Sequence, residues 1–269
     1  MRIGSRDFAT TGHTYIMGIL NVTPDSFSDG GKFDQIDAAL KHAEEMIRDG
    51  ADVIDIGGES TRPGYTKISD EEETDRVVPV IEAVKKEFGI PISVDTYKSG
   101  VAEAAAQAGA HLINDIWGLK YDPHMSEVIA KSGLACCLMH NRDNTEYRNF
   151  MEDVKQDLRE TIALAKAAGI ADDKIILDPG VGFAKSYENN LEVIRRLKEF
   201  NELKYPVLLG TSRKSVIGLT LDLPAAERVE GTIVTTVMAV EAGCMFVRVH
   251  DVKENHRAIQ MAEAILDRK

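Results

Sequence analysis

A chain of 269 residues, 43% hydrophobic and 28% charged, can bury a large core and is not a disordered polymer. Its 44 acidic and 32 basic side chains leave a formal charge of −12, which repels nucleic acid and anionic membrane surfaces and argues against either as a partner. No apolar run approaches the roughly 20 residues that span a bilayer, and the start, MRIGSRDFATTG, lacks a basic stretch leading into an apolar one, so a cytoplasmic protein is expected.

In chain order, short β-branched runs predict strands near Tyr15–Leu20, Asp52–Ile56, Ile92–Asp95, Leu112–Asp115, Leu134–Met139, Ile175–Asp178, Val207–Leu209 and Phe246–Val249. Helical periodicity follows each, near Ile36–Arg48, Glu72–Phe88, Ser99–Ala108, Pro123–Lys131, Val154–Ala168, Asn189–Phe200, Arg228–Glu241 and Asn255–Asp267. Gly50, Gly89, Gly109, Gly133, Gly169 and Gly243 stand where a left-handed residue closes a helix. Eight strand–helix units of about 34 residues make the size of a (β/α)8 TIM barrel. The length alone would also allow two domains, but no Gly/Ser/Pro linker or change of composition divides the chain, so one domain over 1–269 is expected. An open doubly wound sheet has the same alternation; the regular units and the lack of GxGxxG after the first strand favour the closed α/β barrel. Cys136, Cys137 and Cys244 lack CxxC spacing and read as reduced core thiols rather than disulfides or zinc ligands.

Either fold puts function at the carboxyl ends of the strands. Those ends carry Asn21; Asp55; Asp95; Asn114 and Asp115; Met139 and His140; Asp178; Ser212, Arg213 and Lys214; Arg248 and His250. One Asp or Asn there is unremarkable, since any strand must end in something polar; eight polar ends in series point to an active site. In an acidic chain, Arg62, Arg213, Lys214, Arg248 and His250 are placed to form a local anion pocket, although for Arg62 and Arg248 taken by themselves structural salt bridges are the preferred reading. The loops Asn21–Phe33 and Gly57–Glu71 are long and rich in turn residues, which suits either lids that exclude water or plain surface loops.

The stretches IMGILNVTPDSFSDGG (16–31) and GADVIDIGGESTRPG (50–64) resemble the two signature segments of the dihydropteroate synthase family. The likeness continues in order through SVDTYKSGVAEAA, LINDIWGL, DPGVGFAK, LLGTSRKS and RVHDV, covering essentially the whole chain. One local departure is Asn141 in LMHNR, where family members often carry Met before Gln or Arg.

The resemblance implies a transferase of folate biosynthesis. It would join 6-hydroxymethyl-7,8-dihydropterin diphosphate to 4-aminobenzoate, release diphosphate with magnesium assisting, bind sulfonamide inhibitors and form a homodimer. Carried onto this sequence, it makes Asp55, Asp95, Asn114, Asp178 and Lys214 readers of the pterin, Arg248 a guanidinium stacked on its face, and Ile116, Met139 and Phe183 apolar walls. Asn21, Thr61, Arg62, Arg248 and His250 would hold the diphosphate, with Asn21 on magnesium. Thr61 and Ser215 would hold the aminobenzoate, where Ser215 reads equally as a helix cap. Asp95, Arg62, Asp29 and Lys214 would carry catalysis. A pterin-dependent methyltransferase and a non-catalytic pterin-binding paralogue are the competing readings. SRKS, together with STRPG, favours the synthase, because a methyltransferase has no diphosphate to grip.

Overall fold

The computed structural model of the protein describes residues 1–23, 32–60 and 67–268. The chain opens with a short antiparallel hairpin, β1 (Arg2–Ile3) and β2 (Arg6–Asp7), and then alternates strands with helices. The strands are β3 (Tyr15–Asn21), β4 (Val53–Gly57), β5 (Ile92–Asp95), β6 (Leu112–Asp115), β7 (Ala135–Met139), β8 (Ile175–Asp178), β9 (Leu208–Leu209) and β10 (Phe246–Val249). The helices are α1 (Lys32–Asp49), α2 (Asp70–Glu87), α3 (Ser99–Ala108), α4 (Met125–Ser132), α5 (Phe150–Ala167), α6 (Tyr187–Arg195), α7 (Ser215–Leu221), α8 (Val229–Ala242) and α9 (Val252–Ile265).

The strands of the main sheet are apolar on both faces because both are covered, as in other parallel sheets wrapped by crossover helices. They pair in parallel in the order β8-β7-β6-β5-β4-β3-β10-β9. The two edges meet through a parallel bridge between Leu177 and Val207 and a 2.9 Å bond from the Leu177 N–H to the Pro206 carbonyl. The sheet is therefore a nearly closed barrel, as the periodicity predicts, with the helices around it.

The period of two along each strand sorts side chains between layers. Ile16, Leu20, Ile54, Ile56, Val94, Ile113 and Cys136 pack outward in the large cluster shared with the helices. Met17, Val53, Leu112, Cys137, Ile176, Leu208 and Phe246 point inward and fill the barrel floor. The hairpin plugs that floor from below: Ile3 and Phe8 are buried in the same cluster, with the Phe8 ring centroid 5.5 Å from that of Phe246. The three cysteines are buried free thiols.

Several sequence expectations are corrected in detail. The hairpin was not expected, since two-residue strands are too short to show a period; the helix expected to begin near Ser215 is α7, seven residues long. The helix expected over Asn189–Phe200 divides into α6 and a 3₁₀ stretch, Leu197–Leu203. Leu197, Phe200 and Leu203 are its buried residues, and their spacing of three matches the 3₁₀ turn. Gly50, Gly109, Gly133, Gly169 and Gly243 are left-handed as predicted. Gly89 is not, because α2 ends at Phe88 in extended backbone.

Candidate active site

Two residues beyond the apolar floor, the inward positions turn polar. From Val53, Leu112, Ile176 and Phe246 the next inward residues are Asp55, Asn114, Asp178 and Arg248; Cys137 is followed by Met139 and Ser93 by Asp95. Register brings them side by side: Asp95 is level with Asn114, Met139 with Asp178 and Arg248 with Met17. Next to β9 the inward position is Gly210. A Cβ there would lie 3.7 Å from Asp178 Oδ2, 3.8 Å from Lys214 Nζ and 3.9 Å from Arg248 Cβ, so the missing side chain leaves room where these groups converge.

Arg248 is the hub. Its Nε donates to Asp55 Oδ2 and its Nη2 to Asp95 Oδ2, both at 2.6 Å, and Asn114 Nδ2 donates to the same Asp55 oxygen at 3.1 Å. One guanidinium thus serves two buried carboxylates. The other oxygen of each, Asp55 Oδ1 and Asp95 Oδ1, is buried without a hydrogen-bond partner among the described residues. A buried carboxylate oxygen left unpaired is costly, and one facing a cavity is a place for a ligand donor. Burial raises the Asp95 carboxyl to about 7; Arg248 pulls it down, while Asp55 and Glu73 push it further up.

Asp178 and Lys214 form the second polar pair. Asp178 Oδ1 accepts from the Gly180 N–H at 2.7 Å, and burial raises its carboxyl although Lys214 lowers it. Burial depresses the Lys214 ammonium to about 8, with Asp178 raising it. Lys214 donates to the Val181 carbonyl, and its Nζ stands 4.8 Å from the centroid of the Phe183 ring. Tyr97, Ile116 and Met139 form a small buried cluster with Trp117 and Phe183 against it, separate from both core layers. The expected apolar walls are therefore gathered at this end of the barrel.

The remaining expected residues divide. Asn21 ends β3, and a Cβ on Gly57 would lie 3.7 Å from both Asn21 Oδ1 and Asp95 Oδ2, which puts the carboxamide near the Asp95 carboxylate. His250 Nδ1 lies 2.9 Å from Ser212 Oγ, which also accepts the His250 N–H at 3.1 Å. Ser215 is exposed and is the first residue of α7, after Lys214; it is not the capping residue that the alternative reading made it. Arg213 does not join the expected anion pocket. Its guanidinium is taken by Asp251, with Nε 3.0 Å from Oδ2. Asp115 accepts from the Trp117 and Leu119 N–H groups at 2.8 and 2.7 Å and builds the turn after β6. Asp29, Thr61 and Arg62 lie outside the described residues.

A family model described as pterin binding enzyme matches residues 17–250, a span that includes every strand end just described except the start of the first. The chain belongs to the pterin binding enzyme family. Within that family, the dihydropteroate synthase of Clostridium beijerinckii is 62% identical over 269 residues, all of both chains. A crystal structure of Clostridium difficile dihydropteroate synthase in the presence of pteroic acid superposes with a TM-score of 0.93 at 52% identity, covering 100% of each chain. The Yersinia pestis dihydropteroate synthase in a sulfonamide drug complex gives 0.93 at 43% identity over 99% of each chain.

In this pterin binding enzyme, two ionic groups near the site, one half-buried and one buried, escaped sequence reasoning. Lys185 lies in the DPGVGFAK segment, where nothing marked the lysine as more than a surface charge; in the fold its Nζ reaches His140. Glu59 and Lys98 meet Glu73 and Tyr97 behind Asp95, with Lys98 Nζ 2.9 Å from Glu59 and 2.7 Å from Glu73. Glu59 and Lys98 are 39 residues apart, and no local pattern joins them.

Proposed function

We infer that this chain is a dihydropteroate synthase, joining 6-hydroxymethyl-7,8-dihydropterin diphosphate to 4-aminobenzoate with release of diphosphate. The observation that carries the chemistry is the pair of buried carboxylate oxygens on Asp55 and Asp95, unpartnered among the described residues, around a single Arg248. A pterin edge offers adjacent N–H donors and a carbonyl acceptor, which carboxylate, carboxamide and ammonium groups read together. Asp178 accepts from ring donors, Lys214 donates to the ring, and Asn114 and Asp55 take the facing edge. Arg248, already fixed between Asp55 and Asp95, offers its planar guanidinium to the ring face. Ile116, Met139 and Phe183 line the apolar sides.

Loss of diphosphate from the pterin methylene leaves a delocalised cation, so the site must stabilise charge separation. Asp95 is suited to this role, because its buried charge is incompletely neutralised before reaction and gains a partner as the cation develops. Asn21, His250 and Arg248, with Thr61 and Arg62, hold the leaving diphosphate. Magnesium fits beside Asn21, whose hard carboxamide oxygen near Asp95 suits an ion that keeps water and phosphate oxygens as most of its ligands. Bound there, it would supply charge neutralisation of the leaving group. Asp29 and Arg62 keep water from the cation, and Thr61 and Ser215 hold 4-aminobenzoate in line. A sulfonamide drug shares the aniline of that substrate and competes for the same place. Homodimer formation is supported by an apolar outer face on α8 and α7, where Val234 is 60% and Leu219 68% exposed.

The direct test is incubation with both substrates, following dihydropteroate and diphosphate together. Equimolar appearance of the two is expected. Pterin binding without turnover would make the chain a binding paralogue, and methyl transfer would make it a methyltransferase. For the order of events, pterin diphosphate carrying ¹⁸O in the bridging position is incubated without 4-aminobenzoate. Scrambling of the label is expected from a reversible cation; label that stays in place while the bound diphosphate rotates freely would return the mechanism to direct displacement.

A further inference from the structure

The turn after β8 is held from behind by a chain of polar groups that none of the roles above uses. Gly180 is the pivot. Its N–H orients Asp178 Oδ1, its φ is +71°, and a side chain there would collide with the His140 carbonyl, so the turn lies flush against the end of β7. Lys185 comes back across this turn. Its Nζ donates to the Gly180 carbonyl at 2.9 Å, to the Phe183 carbonyl at 3.1 Å and to His140 Nδ1 at 2.8 Å. Three acceptors take the three N–H bonds of an ammonium, although burial pulls Lys185 down to about 7.

His140 then has a defined tautomer. With Nδ1 accepting, its proton is on Nε2, which stands 2.9 Å from Asp157 Oδ2. Burial and Lys185 favour the neutral ring, lowering it to about 4 against the pull of Asp157. Arg142 Nε donates to the same Asp157 oxygen at 2.5 Å and anchors the outer end. The His140 backbone N–H also donates to the Asp178 carbonyl at 2.8 Å. The chain Arg142–Asp157–His140–Lys185 therefore ends on the carbonyls of Gly180 and Phe183, which bracket Val181 and Gly182, and the Val181 carbonyl accepts from Lys214.

We propose that Lys185, oriented by His140 and Asp157, is a positioning residue for pterin recognition: it fixes the 178–183 turn so that Asp178, Lys214 and Phe183 meet the ring in one geometry. The proposal rests on the pterin-site reading given above. A lysine placed for folding alone has no need to end on the turn that aims Asp178, and its loss would act on both substrates alike. A positioning role acts on the pterin and spares the aminobenzoate.

The test compares wild type, Asp178→Asn, Lys185→Met and Lys185→Arg. Calorimetric titration with 6-hydroxymethylpterin is paired with KM for 4-aminobenzoate at saturating pterin diphosphate. Asp178→Asn is the control for the reading itself; unchanged pterin affinity there removes Asp178 from the site and the proposal with it. If Asp178→Asn binds weakly, Lys185→Met is expected to lose pterin affinity by about tenfold or more, the size of one charge-assisted hydrogen bond. Its KM for 4-aminobenzoate should stay unchanged, and Lys185→Arg should recover part of the loss. Weak binding by Asp178→Asn with pterin affinity within about twofold of wild type in Lys185→Met overturns the proposal, as does an equal effect on both substrates. Should Lys185→Met fail to fold, Asp157→Asn leaves the lysine in place and cuts the chain further out. A pterin-specific loss is expected from it, and wild-type affinity in that folded variant overturns the proposal.

Discussion

Asp95→Asn should make the protein more stable at alkaline pH and a much poorer catalyst. A carboxyl standing near 7 instead of its usual 3.8 costs the fold about 4 kcal/mol once it is ionised. Because the folded value is raised, that cost is absent below pH 3.8, grows as pH rises, and is complete above about 7. The carboxamide keeps the shape and removes the charge. Arg248's attraction for the ionised carboxyl is already contained in that raised value, and in the variant Arg248 retains Asp55. The expected gain is about 4 kcal/mol at pH 8 and narrows to about 2 kcal/mol near pH 5. Urea unfolding of both proteins at the two pH values measures it. Rate should fall by about 100-fold or more, since a preorganised charge opposite a developing cation is lost, with pterin affinity changed far less. A variant less stable than wild type at pH 8, or a stability difference that does not narrow toward pH 5, would refute the claim that one guanidinium leaves this carboxylate under-neutralised. A normal rate would remove Asp95 from charge stabilisation and favour direct displacement by the amine.

Lys214→Ala removes a charged donor that burial desolvates, and should weaken binding of a pterin analogue by about 1.5–3 kcal/mol in a calorimetric titration; unchanged affinity would take Lys214 out of the site. With its ammonium depressed to about 8, the wild-type kcat/KM for pterin diphosphate should fall as pH rises past that value, and Lys214→Arg should abolish this limb. Replacing Asp29 and Arg62 by Ala should shift stability by under about 0.5 kcal/mol in thermal melts while synthase activity collapses; a large drop in melting temperature with normal activity would make those residues structural. Chelation of magnesium should suppress diphosphate release and leave 6-hydroxymethylpterin binding intact, and added magnesium should restore release. Full activity in the chelator would place charge neutralisation on the side chains alone.

From its sequence alone, the chain was legible as a barrel because both signals involved are local. β-branched runs and helical periods depend on residues a few positions apart, and strand limits such as Ile92–Asp95, Leu112–Asp115 and Ile175–Asp178 are the same in sequence and structure. The polar strand ends were legible for a related reason: a parallel strand buried on both faces has few places for Asp or Asn except its carboxyl end. What each of those groups does was not legible, because that depends on neighbours distant along the chain. Asp55 and Arg248 are 193 residues apart, and only the ring of strands brings one guanidinium between two carboxylates and leaves an oxygen of each unpaired among the described residues. Arg213 and Arg248 look alike as arginines after or within apolar runs, yet the first turns to Asp251 and the second into the barrel. Lys185 sits in a segment whose every residue was in view, and its role emerged only when the turn after β8 folded back against His140. The period of two determines which side chains face inward; closure of the barrel determines which of them meet.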